Sequence, residues 1–485
     1  MAYTYFSKLF LILTVLLSNL GEFEISNQWA TPQQIPNYER TSRPPFIIAD
    51  HQNRIHAFNY ESINATNNAV FYRSWTPDGG WKPPVDIILA GQGGGPATLQ
   101  DVKLDQSGNF HLVFYISSTR GGNLYYSHAY IDAVDISSAW SSPTLIGPDA
   151  GPLAYSFITI DQNGTLLVFY AGELSATGLY LVTSEDLGQN WSQPILLSAT
   201  TVSSYSVGAI RSLVDDDGSI HVVWSLINDT GIGEEVHYGR LNKSRDALEK
   251  EIVIARREGD DYSTTWPDII RADDQLLLFY QDSFPATRFM RTSKDNGDSW
   301  SLPIQPFPFI GEYETTAMVK DSLGKIHLLL GNRTIDPEIH GMWYSQWLGT
   351  RWSTLSAITY GKKTAAFDPS VPRAVVLGGN LLFVTWWNDT RVDDRTGAWY
   401  SFRRLDAPPI SPEPYPTLSV TQEVTEIVVP VVIKTKTIEM PAQPGTAIPF
   451  TTKPTNYFPA RSIFWALIPV FGLLVFFYYY KKRHF

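Results

Sequence analysis

The 485-residue sequence contains no cysteine. Disulfide bonds and thiolate metal sites are therefore excluded, and stability has to come from packing. Charged residues are scarce, at 18%, and the formal net charge is −11. A nucleic-acid partner is not expected, because phosphate binding requires a basic surface. Aromatic residues are plentiful, with 15 Trp, 25 Tyr and 25 Phe, and they favour β-strands because flat rings pack well on pleated surfaces.

Each end of the sequence carries an apolar segment. Residues 1–22 have the layout of a secretory signal peptide, a lysine followed by an apolar run, although an uncleaved anchor is the alternative because no clean cleavage site follows. Residues 462–480 are long and apolar enough to form a transmembrane helix. The basic tail, 481–485, predicts a cytoplasmic C-terminus. The sequence thus predicts a single-pass type I protein of the cell membrane, with lipid as a partner and the intervening chain outside the cell.

One unit recurs seven times between these ends: an apolar strand, an Asp, a short turn and a second apolar strand. Equivalent positions of the second strand are 50 to 56 residues apart: His56, His111, Leu167, His221, Leu277, His327 and Leu382. This period is typical of the four-stranded blades of a propeller. The sequence therefore predicts an all-β fold, a seven-bladed β-propeller over residues 23–407.

Tryptophans mark the fourth, outer strand of the repeat at five positions: Trp81, Trp140, Trp191, Trp300 and Trp352. The seventh repeat has no such residue, whereas Trp29 lies one full period, 52 residues, before Trp81. We expect the N-terminal strand to complete the last blade and close the ring. Residues 408–461 are rich in Pro and Thr, which indicates an extended stalk.

Two segments in the same register of the repeat fit the pattern S-x-D-x-G-x-x-W. Their motif residues are Ser184, Asp186, Gly188 and Trp191, and then Ser293, Asp295, Gly297 and Trp300. These segments resemble the Asp boxes, or BNR repeats, of sialidase-type propellers. Ser and Asp can bond the backbone of the turn and Gly accepts a positive φ, so an architectural role is expected. The resemblance implies glycan chemistry, and it offers a six-bladed sialidase ring as the alternative architecture.

The resemblance also implies a site with three arginines for a sugar carboxylate, an Asp as general acid and a Tyr–Glu pair. Arg43, in the context Ser42-Arg43-Pro44, best matches a carboxylate-binding arginine. The segment 59–77, where the Asp would lie, contains none, and an amide cannot deliver a proton. No catalytic residue is therefore assigned.

In a propeller, residues that enter the first strand of each blade line the central channel. The candidate ligand-binding residues at these positions are Arg43, Asp101, Arg211, Asp268, Glu314 and Asp368. The alternative is a ring of solvated or mutually paired charges. The four histidines of the repeat fall at one equivalent position in different blades, so they indicate packing rather than metal binding, and neither a metal nor another cofactor is expected.

We therefore expect a cell-surface propeller that binds a glycan or protein ligand at its central face without catalysis. The alternative is an exo-glycosidase of sialidase type that acts on terminal sialic-acid-like sugars. A purely architectural envelope protein would share the sequence features of the binding module.

Overall fold

The computed structural model describes residues 28–39, 43–62, 68–89, 97–118, 121–151, 155–260, 262–282, 287–307, 310–334, 339–362, 369–388 and 397–416. Within this part of the chain, no helix is long and apolar enough to cross a membrane. The predicted signal peptide, the predicted transmembrane helix and the stalk beyond residue 416 lie outside the described residues.

Seven antiparallel sheets form the seven blades of a propeller. Blades 1 and 2 contain β2 (Phe46–Ala49), β3 (Ile55–Ser62), β4 (Asn68–Thr76), β5 (Gly80–Trp81), β6 (Val85–Leu89), then β7 (Ala97–Leu104), β8 (Asn109–Ser118), β9 (Gly121–Tyr130) and β10 (Thr144–Gly147). Blades 3 and 4 contain β11 (Ser156–Ile160), β12 (Leu166–Gly172), β13 (Gly178–Ser184), β14 (Ile195–Ala199), then β15 (Ser206–Val214), β16 (Ile220–Ile227), β17 (Gly233–Leu241) and β18 (Leu248–Arg256).

Blades 5 and 6 contain β19 (Thr265–Ala272), β20 (Gln275–Asp282), β21 (Thr287–Ser293), then β22 (Ile310–Lys320), β23 (Ile326–Thr334), β24 (Ile339–Gln346) and β25 (Ser356–Lys362). Blade 7 contains β26 (Pro369–Leu377), β27 (Leu381–Asn388), β28 (Gly397–Arg404) and, as its outer strand, β1 (Gln33–Glu39). Two 3-10 turns, Ile131–Ala133 and Ser137–Ala139, precede β10.

The N-terminal strand closes the ring. In β1, Gln33 pairs with Tyr400 and Gln34 with Trp399 of β28, so the first and last parts of the propeller share one sheet. The seven-bladed prediction and the predicted closure are confirmed, and the six-bladed alternative is wrong.

Blade 5 departs from the predicted pattern. Its outer segment, which follows Trp300, forms only one isolated bridge, between Met290 and Ile304. Pro303 and Pro306 flank that bridge, and a proline has no amide N–H to donate to a strand ladder. The prediction of a full outer strand after Trp300 is therefore wrong.

A row of three polar side chains recurs in four blades. A tyrosine hydroxyl lies 2.7 to 2.9 Å from a histidine Nδ1, and the histidine Nε2 lies 3.0 to 3.5 Å from an aspartate oxygen. The rows are Tyr72–His56–Asp50, Tyr126–His111–Asp105, Tyr238–His221–Asp215 and Tyr344–His327–Asp321. The histidines are almost fully buried, so the predicted packing role is confirmed.

The two predicted Asp-box segments fold into one kind of turn. In the second, the Ser293 hydroxyl donates to Asp295 at 2.8 Å and the Gly297 amide donates to the Ser293 hydroxyl at 2.8 Å. Gly297 has a φ of 88° and packs against Tyr238 of the preceding blade. Trp300 then meets the same tyrosine edge-on, with ring centroids 5.0 Å apart.

The first Asp-box segment packs identically on the preceding blade. Gly188 lies against Tyr126, and the Trp191 and Tyr126 ring centroids are 5.0 Å apart. Trp29 of blade 7 makes the same kind of contact with Tyr344 of blade 6. Each tryptophan thus joins its blade to a polar row of the blade before it, which is how the motif stabilises the ring.

The first residues of the predicted stalk lie on the propeller. The Ile410 amide donates to Gly378 and the Glu413 amide to His51, at 2.8 and 2.9 Å. Tyr415 stacks on His51 with ring centroids 5.3 Å apart. These contacts are made at the turns between the first and second strands of blades 7 and 1. The segment 405–416 is called the strap below.

Candidate functional site: the central channel

A cavity of about 700 Å³ occupies the centre of the ring. The first strands of all seven blades line it. Its volume falls in the range of small-molecule sites. The channel therefore offers space for a ligand of oligosaccharide size.

β-Bulges shape the channel wall. The first strands of five blades lose regular register where they face the cavity. In three of these strands the bulge begins at a residue with positive φ: Ala209 at 43°, Trp266 at 52° and Val371 at 51°. Such a conformation is strained for a residue other than glycine. Bulges re-aim side chains, and Arg211, Asp268 and Arg373 each follow two residues after the strained position.

The structure brings four of the six predicted site residues to one cavity. Arg43, Asp101, Arg211 and Asp268 all line the channel. Glu314 lies in β22, but its side chain is not among those described, and Asp368 lies outside the described residues.

Several residues of the channel are not among those predicted from the sequence. The most important is Arg373, in β26. Lys103, Tyr60, Tyr155, Trp266 and Thr316 also line the cavity. A signal for Arg373 was present, since it lies nine residues before Leu382 just as Asp268 lies nine residues before Leu277.

Asp268 is held in the wall by hydrogen bonds. Its carboxylate accepts from the Ile269 amide at 3.0 Å and contacts the Thr316 hydroxyl at 3.4 Å. Burial raises the pKa of Asp268 to about 6, against the lowering effect of Arg211 and of the amide. The carboxyl group can therefore gain or lose a proton close to neutral pH.

Arg373 lies on blade 7, over an aromatic ring. Its guanidinium carbon is 3.4 Å from the centroid of the Phe46 ring, a cation–π contact. Burial lowers the pKa of Arg373 to about 9, and the like charge of Arg211 acts in the same direction, while Asp101 opposes both. A half-buried guanidinium beside another cation can bind an anionic group that enters the channel.

The charges on blades 2 to 4 are partly paired. Lys103 forms an ion pair with Asp101 at 3.2 Å, and Asp101 also accepts from the Ile158 amide. The ammonium of Lys103 and the guanidinium of Arg211 both lie over the ring of Phe157, at 4.3 and 5.5 Å from its centroid. The expectation of mutually paired charges is thus met at Asp101 and Lys103.

Basic groups outnumber acidic groups in the described channel wall. Four basic side chains face two acidic ones: Arg43, Lys103, Arg211 and Arg373 against Asp101 and Asp268. The sequence as a whole is acidic, whereas the described part of the channel wall carries more basic than acidic side chains. No group of three His, Asp or Glu side chains suited to a metal ion occurs among the described residues.

No protein-family model matches the sequence, and the curated proteins give no significant relative. The solved structures do contain matches. An ulvan lyase of polysaccharide lyase family PL25, bound to -[GlcA(1-4)Rha3S]-, matches with a TM-score of 0.51 and 12% identity, over 76% of this chain and 95% of that chain. The polysaccharide lyase Uly1 matches with 0.51 and 11%, over 77% and 94%.

The NanB sialidase from Streptococcus pneumoniae matches with a TM-score of 0.44 and 12% identity, over 79% of this chain and 72% of that chain. At these low identities, the likeness to the lyases shows a common architecture. What is shared is the propeller fold.

Proposed function

We propose that this protein binds an acidic carbohydrate in the central channel of its propeller, outside the cell. The observation that carries the proposal is the convergence of Arg211 and Arg373 on one cavity. Arginine binds carboxylate and sulfate groups through paired N–H donors. The polar wall also supplies hydroxyl and amide groups for sugar hydroxyls, among them Thr316 and Asn59.

Two further observations support a carbohydrate over a protein ligand. The site is a concave channel rather than a flat patch, which suits a narrow chain. In addition, the ulvan lyase that shares the fold was solved with a ligand containing a uronic acid and a sulfated sugar, both acidic. This ligand belongs to the lyase, and it supports the class of ligand proposed for this chain.

The strap and the bulges lie at opposite ends of the inner strands. It crosses the ring at the turns that follow the first strands, next to Gly378 and His51, whereas the bulges lie towards the other end of those strands. We propose that residues 462–480 anchor the protein in the cell membrane.

The test is a binding assay with the full-length protein on matched acidic and neutral oligosaccharides. We expect binding of the acidic set only, and at least a tenfold loss with Arg373→Met, because the variant removes a positive charge that pairs with the ligand. Arg256→Met is the matched control, since Arg256 is exposed on the outer strand β18. Equal binding of neutral sugars, or unchanged binding by Arg373→Met, would contradict the proposal.

A second candidate is hydrolysis of a terminal acidic sugar, as in sialidases. Arg43, Arg211 and Arg373 line one cavity, the number of arginines that the resemblance implies. Asp268, with its pKa of about 6, is suited to proton transfer. No glutamate lines the described channel wall, however, so binding without catalysis is the first candidate. Turnover of a fluorogenic sialoside that is abolished by Arg43→Ala would reverse this order.

A further inference from the structure

Trp266 differs from the tryptophans of the repeat. Trp191 and Trp300 join neighbouring blades, whereas Trp266 lies in the first strand of blade 5 and lines the channel. It has a φ of 52° and precedes Pro267. Both features are unfavourable, because a bulky residue rarely adopts positive φ and a following proline restricts it further.

A strained bulky residue in a channel wall indicates a functional constraint. The residue at the start of the bulge in blade 4 is alanine, Ala209, and in blade 7 it is valine, Val371. The fold therefore accepts a small side chain at this position. An indole is not required there for the bulge to form.

Tyr155 meets Trp266 across blade 4. The two ring centroids are 6.2 Å apart and the rings are nearly perpendicular, at 74°. The Tyr155 ring packs against Gly208. A Cβ atom added to Gly208 would be in contact with that ring. The two rings thus form an aromatic corner that spans blades 3 to 5.

The aromatic corner adjoins the charged part of the channel. Asp268 follows Trp266 by two residues, and Arg211 follows Gly208 by three. Aromatic rings offer apolar faces on which the C–H face of a sugar ring can pack, and the indole N–H offers a donor. An acidic group and an apolar sugar face can therefore be bound side by side.

We propose that Trp266 and Tyr155 form a second subsite, which holds the sugar next to the acidic sugar, so that the channel selects an acidic oligosaccharide over a single sugar acid. This inference rests on the proposed function and adds the length of the ligand. Arg373 and Arg211 recognise the anionic group, and the aromatic corner recognises its neighbour.

The experiment compares two probes, glucuronate and a uronate-containing acidic tetrasaccharide, by calorimetry with the full-length protein. We expect the tetrasaccharide to bind at least ten times more tightly. Trp266→Gly suits the measurement because glycine accepts positive φ, so the variant should fold. It should remove the gain for the tetrasaccharide and leave glucuronate affinity within twofold, while Trp266→Phe should retain most of the gain.

The outcomes separate the inference from the proposed function. If Trp266→Gly weakens both probes equally, or if the wild-type protein binds both equally, there is no second subsite and the inference is wrong. If the wild-type protein binds neither probe, the proposed function itself is wrong, and the inference falls with it. Unfolding curves of both variants establish that the comparison is made on folded protein.

Discussion

The two ends of the inner strands of this propeller differ: one end has a structure that is repeated between blades, and the other varies. At one end, the strands run into turns where an aspartate bonds the backbone, and in four blades this aspartate also meets a buried histidine. At the other end, the strands bulge, and the side chains there differ from blade to blade. The repeated end stabilises the ring, and the variable end forms the candidate site. Substitutions at the first should therefore cost stability, and substitutions at the second should cost binding.

The largest effect is expected where a repeated turn meets the next blade. In Gly297→Ala, the new methyl group would overlap the buried Tyr238 side chain at a positive φ. We expect a loss of about 3 kcal/mol in the free energy of unfolding, measured by urea denaturation. The matched control is Gly231→Ala, where φ is also positive but no atom lies within 4 Å.

The control should lose only about 1 kcal/mol, from backbone strain alone. If both variants lose the same amount, the contact between the turn and Tyr238 contributes nothing to stability.

The next effect concerns the polar rows. His327→Leu places at this position the residue that blades 3, 5 and 7 already have, so its shape fits the fold. The change deprives the Tyr344 hydroxyl and the Asp321 carboxylate of a buried partner. We expect a loss of about 2 kcal/mol, and Tyr344→Phe added to it should restore part of that. Full stability in the single variant would show that the row is dispensable.

Acid should destabilise the repeated end further. Burial lowers the pKa of His56 and His327, and that of His221 to about 4. The unfolded chain therefore binds protons on these residues below about pH 6.5 that the folded chain does not. Stability should fall as the pH drops from about 6.5, and it should stay level between pH 7 and 8. His327→Leu should make the fall less steep.

At the variable end, acid should have a favourable effect: a lower pH should raise the affinity for the ligand. Protonation of Asp268, whose pKa is about 6, removes a negative charge from the channel. The affinity for an acidic oligosaccharide should rise by up to about tenfold between pH 7.5 and 5, the equivalent of one pKa unit. Asp268→Asn should bind tightly and without this pH dependence. A variant that keeps the wild-type pH curve would exclude Asp268 as its source.

The same contrast explains what the sequence could predict. Repetition made the ring predictable: the Asp turns recur at a period of 50 to 56 residues, and Trp29 completes the pattern. Bulges made the channel hard to predict, because an inserted residue shifts the register that counting relies on. Arg373, which follows such a bulge in blade 7 and lines the cavity, was therefore not predicted.

Two other features were not predicted, for different reasons. Trp266 gave no signal, since a tryptophan was expected to mark an outer strand. The strap has the composition of a stalk, and composition does not show that Tyr415 stacks on His51.

The smallest effect on stability is expected at the variable end itself. Arg373 is a half-buried cation near the like charge of Arg211, and its pKa is lowered to about 9, so the folded state does not gain stability from its charge. Arg373→Met should change the free energy of unfolding by no more than about 1 kcal/mol, in either direction, because methionine keeps much of the apolar contact with Phe46.

Arg271→Met is the counterpart at the repeated end, where Arg271 pairs with Asp215 beside His221. Its loss leaves a buried carboxylate short of a partner and should cost about 2 kcal/mol. If Arg373→Met proved the more damaging of the two, the charged channel would be part of what holds the ring together. If it is the milder, the charged channel contributes less to stability than the repeated end, as the contrast between the two ends requires.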